Sequence, residues 1–248
     1  MRIDNYLVDN NLAGSRNKAQ SLIKEGLVSV NGEVILKSSY KLNEAKDKVT
    51  VKEHNSYVSR AAYKLSGFLD ELNLDVQGKT ALDIGSSTGG FTQVLLEYGA
   101  LEVDAVDVGK EQLHESLKDD SRVHSFESCD IREFQSKKAY DIIVSDVAFI
   151  SLLNILDDVE RLACGVKESE RALLGSVTII LLFKPQFEVG REAKRDKNGV
   201  VTDEKAILKA MITFEDACKL KGWKLILKSP SKLTGKEGNL EYCYCYKK

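Results

Sequence analysis

The 248-residue sequence predicts a doubly wound α/β sheet of seven strands, the last antiparallel, preceded by a small α/β domain. Three observations predict it. From Thr80 onward, short apolar runs alternate with helical stretches, the rhythm of βαβ units. Runs such as Val177-Thr-Ile-Ile-Leu-Leu-Phe are near-continuous, as in strands covered on both faces. The first 53 residues carry a separate pattern of helices and short alternating strands.

In chain order, Ile3, Leu7 and Val8 fit one helical face. Ser15 is placed to cap a second helix carrying Ala19, Leu22, Ile23 and Leu27, with Gly26 near its stop. Val28-Ser-Val-Asn-Gly-Glu-Val reads as strand, Asn-Gly turn, strand, and Lys48-Val-Thr-Val-Lys as a further strand. Residues 54–60 are polar and read as the linker to a second domain, 61–248, which opens on a helix lined by Ala61, Ala62, Leu65, Phe68, Leu69 and Leu72. Strands are predicted at 80–85, 102–108, 123–128, 140–146, 177–183, 224–229 and 241–247. Helices are predicted at 90–98, 110–118, 150–163 and 204–221. The seventh strand follows the sixth after a short loop and is expected to run antiparallel beside it.

Composition is that of an ordinary globular protein, with 43% hydrophobic and 30% charged residues. The formal net charge of −2 is unevenly spread. Residues 1–60 hold ten Lys/Arg against seven acids, +3, which leaves −5 for the rest. A basic head on an acidic body permits phosphate binding. The five cysteines are odd in number and irregularly spaced without a CxxC pair, which argues for reduced thiols in a cytosolic protein and against a disulfide framework or a zinc site. His54, His114 and His124 have no metal-like spacing. No secretory core opens the chain, and the longest apolar stretch, Ala172 to Phe183, is shorter than the roughly 20 residues needed to span a bilayer.

The strongest chemical signal is Ala81-Leu-Asp-Ile-Gly-Ser-Ser-Thr-Gly-Gly-Phe-Thr. A strand ends near Asp83, a small-residue loop of Gly85, Ser86, Ser87, Thr88 and Gly89 follows, and a helix starts near Gly90 and Phe91. The glycines allow a tight turn and close backbone approach to a ligand. No Gly-Lys-Ser/Thr follows and no GxGxxG is present, so the loop suits a compact nucleoside with an amino-acid tail better than a polyphosphate. Asp107, 24 residues after Asp83, ends the second strand beside Val108, where such folds put an acid on ribose hydroxyls. Asp130 and Ile131 follow the third strand and are placed near the adenine. Asp146 ends the fourth strand, Lys184 the fifth, and Glu241 opens the seventh. In an open parallel sheet ligands bind at the carboxyl ends of strands, so these three converge on one rim. Lys184 directly follows the run Val177 to Phe183, a costly position for a charge unless it is paired. Lys64 lies on the helix before the first strand, and its sequence position alone does not bring it to that rim.

Four segments together resemble the TlyA (hemolysin A-like) rRNA methyltransferases. They are Tyr57-Val-Ser-Arg-Ala-Ala-Tyr-Lys-Leu, Asp83-Ile-Gly-Ser-Ser-Thr-Gly-Gly-Phe, Ser145-Asp-Val-Ala-Phe-Ile-Ser-Leu and Phe183-Lys-Pro-Gln-Phe-Glu-Val-Gly. The stretches Arg2-Ile-Asp-Asn-Tyr-Leu, Ser15-Arg-Asn-Lys-Ala and Val28-Ser-Val-Asn-Gly resemble an RNA-binding domain of the ribosomal protein S-four type. The resemblance covers nearly the whole chain. It implies an FtsJ-like, Rossmann-type catalytic domain that uses S-adenosyl-L-methionine. It also implies a Lys-Asp-Lys-Glu tetrad, here Lys64, Asp146, Lys184 and Glu241, for 2′-O-methylation of cytidine ribose in ribosomal RNA, the large subunit first and the small subunit in some members. The linker reads Asn55-Ser-Tyr-Val-Ser-Arg, where well-known members carry Arg-aromatic-Val.

On this reading Lys184 is the base or the hydroxyl-orienting group, with the choice left open. Arg2, Arg16, Lys18, Lys24 and Arg60 are candidate RNA contacts. So are Arg191, Lys194, Arg195 and Lys197, in a loop that either grips substrate and orders on binding or stays solvated. The expected partners are ribosomal RNA and ribosomal subunits, with no metal and no membrane, for a cytoplasmic monomer. The competing reading is a non-catalytic RNA-binding assembly factor; direct membrane lysis is not expected.

Overall fold

A computed structural model describes residues 1–10, 12–13, 15–24, 26–44, 46–51, 57–165 and 175–248, without the side chains of Lys18 and Ser21. His54 to Ser56 of the predicted linker and the Lys18 contact therefore lie outside the described residues. The chain divides into two compact units, Met1–Ser56 and Tyr57–Lys248.

The first unit is built from α1 (Ile3–Asp9), α2 (Arg16–Lys24), β1 (Val28–Val30), β2 (Glu33–Val34) and β3 (Val49–Val51). The strands form an antiparallel sheet in the order β2-β1-β3. Asn31 and Gly32 both take positive φ, 53° and 90°, the backbone that a two-residue hairpin turn requires. Ile3, Leu7, Ala19, Ile23, Val28 and Val30 close a small core of their own. Asp4 is buried at its edge, where Arg2 (2.9 Å), Arg16 (3.2 Å) and Gln20 (3.2 Å) donate to its carboxylate. The Arg2 guanidinium foremost holds that carboxyl far below the usual carboxylate range.

The second unit opens on α3 (Ala61–Leu72), whose Ala62, Leu65, Phe68 and Leu69 are buried at helical spacing; Asn73, at φ 48°, closes it. Then follow β4 (Thr80–Ile84), α4 (Gly90–Glu97), β5 (Glu102–Val106), α5 (Glu115–Lys118), β6 (Val123–Phe126), β7 (Ile142–Ser145) and a 3-10 turn, Leu152–Asn154. After them come α6 (Leu156–Ala163), β8 (Thr178–Phe183), α7 (Pro185–Glu188), α8 (Glu204–Leu220), β9 (Lys224–Pro230) and β10 (Tyr242–Lys247). The sheet order is β6-β5-β4-β7-β8-β10-β9. The pairs from β6 to β8 are parallel, and β10 runs antiparallel between β8 and β9. The seven-stranded sheet with its antiparallel last strand is therefore as predicted. One core, with Leu82, Ile143, Phe183 and Tyr244, lies on one face of the sheet; the other, with Ala81, Val144, Leu182 and Cys243, faces α3 and α4. This is why the central strands are apolar at nearly every position.

Two helices are shorter than predicted. Residues 110–114 are not helical, because the Glu127 carboxylate accepts the backbone N–H groups of Glu111, Gln112 and Leu113 (2.8, 2.9 and 3.0 Å) and Glu111 sits at φ 55°. The 150–163 stretch breaks after Asn154. There Glu188 takes the Leu152 N–H (2.8 Å) and the Ser151 hydroxyl (2.5 Å), holding the turn that precedes α6. The short α7, with Pro at its first position, was not predicted.

Candidate active site

Strand order reverses between β4 and β7, so the loops that follow these strands diverge and leave a crevice at their carboxyl ends. The β4 loop is shaped by residues that tolerate left-handed backbone: Gly85 at φ 80°, Ser87 at 48° and Gly89 at 93°. A methyl group on Gly85 would stand 3.1 Å from the Cα of Val147 in the β7 loop, and one on Gly90 would collide with Ser59 Oγ. Both glycines therefore sit where backbone must pass close to its neighbour.

The crevice holds two cavities that share Gly85, Ser87, Asp146 and Ala148. One, of about 290 Å³, is lined by Asp107, Val108, Gln112, Asp130, Ile131 and others; the second, of about 230 Å³, by Ser86, Thr88, Gly90, Phe91, Lys184 and others. The predicted cofactor residues thus divide between the two, except Asp83 and Gly89, which line neither. Gly89 begins α4, and Asp83 is fully buried beneath it, accepting the Thr92 hydroxyl at 2.7 Å. Burial pushes the Asp83 carboxyl up to about 7. Asp107 accepts Ser87 N–H (2.8 Å) on one oxygen and Gly109 N–H (2.7 Å) on the other, which pins the glycine loop to the end of β5. Asp130 is clasped by Arg132, which donates from its guanidinium and its backbone N–H and holds the carboxyl down at about 2.

The four charged residues at the rim form two ion pairs. Lys184 Nζ lies 2.6 Å from Asp146 Oδ1 and also donates to the Asp146 carbonyl at 3.2 Å. Lys64 Nζ donates to Glu241 Oε2 at 2.6 Å. The antiparallel insertion of β10 brings this about: Tyr242 pairs with Phe183, so Glu241 and Lys184, one residue further on each strand, stand at the same edge. Lys64, Lys184 and Glu241 are all buried, so each charge needs the partner it has.

Three residues at this site escaped the sequence reading. Gln186 donates from Nε2 to Glu241 Oε1 at 2.9 Å. Gln112 lines the larger cavity and accepts the Ser87 hydroxyl at 3.2 Å. Phe149 is 92% exposed at the cavity edge, at φ 65°, an uncommon backbone for an aromatic residue. Its ring lies 5.3 Å from that of Phe187, over which Lys184 Nζ stands at 5.9 Å. Gln186 and Phe149 both lie inside singled-out motifs, but only Phe149 has a property visible in sequence, a large apolar residue just past a strand end.

Arg191, Lys194, Arg195 and Lys197 are exposed. Their loop is folded by the Arg195–Val201 bridge and by Asp196, which accepts the N–H groups of Asn198 and Val200. Arg60 and Lys24 are also exposed, whereas Arg2 and Arg16 share Asp4. Pairing of β5 with β6 gathers Glu102, Asp104 and His124, which sequence spacing conceals; Lys138 donates to both acids there (2.8 and 2.7 Å). Among the described residues, no helix is long and apolar enough to cross a membrane.

The FtsJ-like methyltransferase family model matches residues 57–248, and the S4 domain model residues 1–49. The chain is 44% identical to the 23S rRNA (cytidine-2′-O)-methyltransferase TlyA of Campylobacter jejuni, over 99% of each chain. It is 35% identical to the 16S/23S rRNA (cytidine-2′-O)-methyltransferase TlyA of Mycobacterium tuberculosis, over 97% of this chain and 87% of that one. Among solved structures it resembles a Streptococcus thermophilus protein described as a candidate hemolysin, at 31% identity and TM-score 0.68, covering 100% of this chain and 88% of the other. This chain belongs to the FtsJ-like methyltransferases, in the group that carries an S4 domain and includes the TlyA rRNA methyltransferases.

Proposed function

We propose that this chain transfers a methyl group from S-adenosylmethionine to the ribose 2′-hydroxyl of a cytidine in ribosomal RNA, that of the large subunit first. The observation that carries the reading is the Lys184–Asp146 pair lining a two-chambered crevice under a glycine loop, with the Lys64–Glu241 pair at the same sheet edge.

The residues present fit such a cofactor. Asp107 and Asp130 bring acids to the larger, mostly apolar-walled cavity, and Ile131 and Val108 give it apolar sides. Ser86, Ser87, Thr88, Gly89, Gly90 and Phe91 carry the turn toward the smaller one, with Asp83 and Gly85 bracing it from β4. When bound, S-adenosylmethionine supplies an electrophilic methyl group. A ribose hydroxyl is a weak nucleophile, so the protein must align its oxygen and assist loss of its proton. Lys184, held by Asp146, orients that oxygen at the smaller cavity, and the hydroxyl proton passes to bulk water as the oxygen takes the methyl group. Asp146 lines both cavities and keeps the lysine in place. Lys64 and Glu241 neutralise each other at the same sheet edge. Arg2, Arg16, Lys18, Lys24 and Arg60, with Arg191, Lys194, Arg195 and Lys197, supply phosphate contacts, and the chain works on ribosomal subunits in the cytoplasm as a monomer.

The test is tritiated methyl transfer from S-adenosylmethionine to purified, unmodified ribosomal subunits, assayed separately, with nuclease-resistant dinucleotides mapped afterwards. Label in a ribose-methylated cytidine dinucleotide from the large subunit is expected. Absence of label from both subunits overturns the proposal.

A further inference from the structure

Glu241 is held from three sides. Lys64 Nζ binds its Oε2 at 2.6 Å and Gln186 Nε2 its Oε1 at 2.9 Å. Gly235 closes the third side, for a side chain there would begin 2.6 Å from Oε1. The carboxylate therefore has one place to be, and Lys64 is fixed by it in turn.

The amide of Gln186 is bound asymmetrically. Its nitrogen serves Glu241, while its Oε1 is buried with no hydrogen-bond partner among the described residues. A buried acceptor without a donor is a cost that folded proteins usually avoid. Turning the amide over would set its oxygen against the Glu241 carboxylate, so the orphaned oxygen follows from holding Glu241. Gln186 also stands two residues after Lys184, on the first turn of α7, and its carbonyl accepts from Arg195 of the basic loop at 3.3 Å. One residue thus touches Glu241 by its side chain and the loop by its backbone.

We infer that Gln186 is a positioning residue for methyl transfer, acting through Glu241 to fix the Lys64–Glu241 pair. The inference rests on the proposed function. It predicts that loss of the Gln186 donor slows the chemical step without weakening substrate or cofactor binding. It also predicts that the effect depends on Glu241.

The experiment uses the full chain and unmodified ribosomal subunits, with four proteins: wild type, Gln186→Met, Glu241→Gln and the double variant. Methionine keeps the length and apolar stem of glutamine but donates nothing. A parallel Gln186→Ala variant and a melting curve for each protein separate a folding defect from a positioning one. For Gln186→Met the expected result is a fall of about tenfold or more in kcat, with KM for the subunit and the Kd for S-adenosylmethionine within twofold of wild type. In the Glu241→Gln background the same substitution should cost less than threefold, because residues acting as one unit are non-additive. Wild-type kcat in both Gln186 variants, or a loss carried into the Glu241→Gln background undiminished, overturns the inference. So does a loss confined to KM or matched by a lowered melting point. A wild-type chain that methylates neither subunit overturns the proposed function and this inference with it, whereas an active wild type beside equally active Gln186 variants overturns the inference alone.

Discussion

At the scale of single residues, the rim is a set of buried and half-buried charges paired one to one. Lys184 is the case that bears most directly on chemistry. Its ion pair with Asp146 and its bond to the Asp146 carbonyl leave it fixed at the smaller cavity, and Lys184 itself does not line the larger one. Lys184→Ala should therefore lower methyl transfer by about 10² or more, the scale of a missing positioned group. Isothermal titration should find S-adenosylmethionine affinity unchanged; weakened affinity would place the lysine in cofactor binding instead. Asp83 makes a different prediction. Its carboxyl is raised by burial to about 7 from an ordinary value of 3.8. The folded chain then binds a proton that the unfolded chain has released, so stability falls as pH rises from about 4 to about 7 and levels off above. Asp83→Asn keeps the Thr92 hydrogen bond and removes that dependence. Its melting point without cofactor should match wild type near pH 4 and exceed it progressively to pH 7, by on the order of 10 °C, from about 1.4 kcal/mol per pH unit and roughly 2–4 °C per kcal/mol. A difference between the two that does not change with pH would show that burial does not raise this carboxyl.

At the scale of elements, the loop from Arg191 to Val201 is built to present charge. Asp196 and the Arg195–Val201 bridge fold it, the buried Ala193 anchors it, and Val201 N–H donates to the buried side chain of Asn239, two residues before Glu241. Replacing Arg191, Lys194 and Lys197 by alanine leaves those internal bonds intact. RNA affinity should fall, and the slope of log K against log salt should flatten by about 0.7–0.9 for each phosphate that is no longer neutralised. A filter-binding salt titration measures both, and an unchanged slope would make the loop a solvated bystander. The same scale shows what could be read in the sequence. Strands β7 and β8 were legible because burial on both faces forces apolar residues at nearly every position, and β4 and β5 by their apolar residues between turn signals. The glycine loop was legible because left-handed backbone selects its composition. The segment 110–114 was not, for a carboxylate at the end of the next strand, Glu127, withdraws its N–H groups from a helix. Lys64 could be aligned to a family motif but not placed. Its partner lies 177 residues away, and the edge they share exists only because β10 inserts between β8 and β9. The meeting of His124 with Glu102 and Asp104 was hidden for the same reason, since strand register is a property of the sheet and not of spacing along the chain.

At the scale of the whole molecule, charge and core are divided unequally between the two units. Residues 1–56 hold nine Lys/Arg and seven acids, +2, so the net charge of −2 leaves −4 on residues 57–248. The larger unit has both of its cores and both cavities to itself, and the smaller unit has its own core. Residues 57–248 alone should therefore bind S-adenosylmethionine as tightly as the full chain, because every residue assigned to the cofactor lies within them. They should bind RNA poorly, because an acidic body repels phosphate and keeps only Arg60 and the 191–197 loop as assigned attractive groups. Compared on the same unmodified subunits, the fragment should show a KM raised at least tenfold, a kcat at saturating substrate within a few-fold of the full chain, and a shallower salt slope. If instead kcat collapses while cofactor affinity holds, the small unit takes part in arranging the reacting ribose rather than only delivering it. If the fragment binds RNA with the slope of the full chain, the basic head is not the delivery device, and Arg2, Arg16, Lys18 and Lys24 lose the role proposed for them.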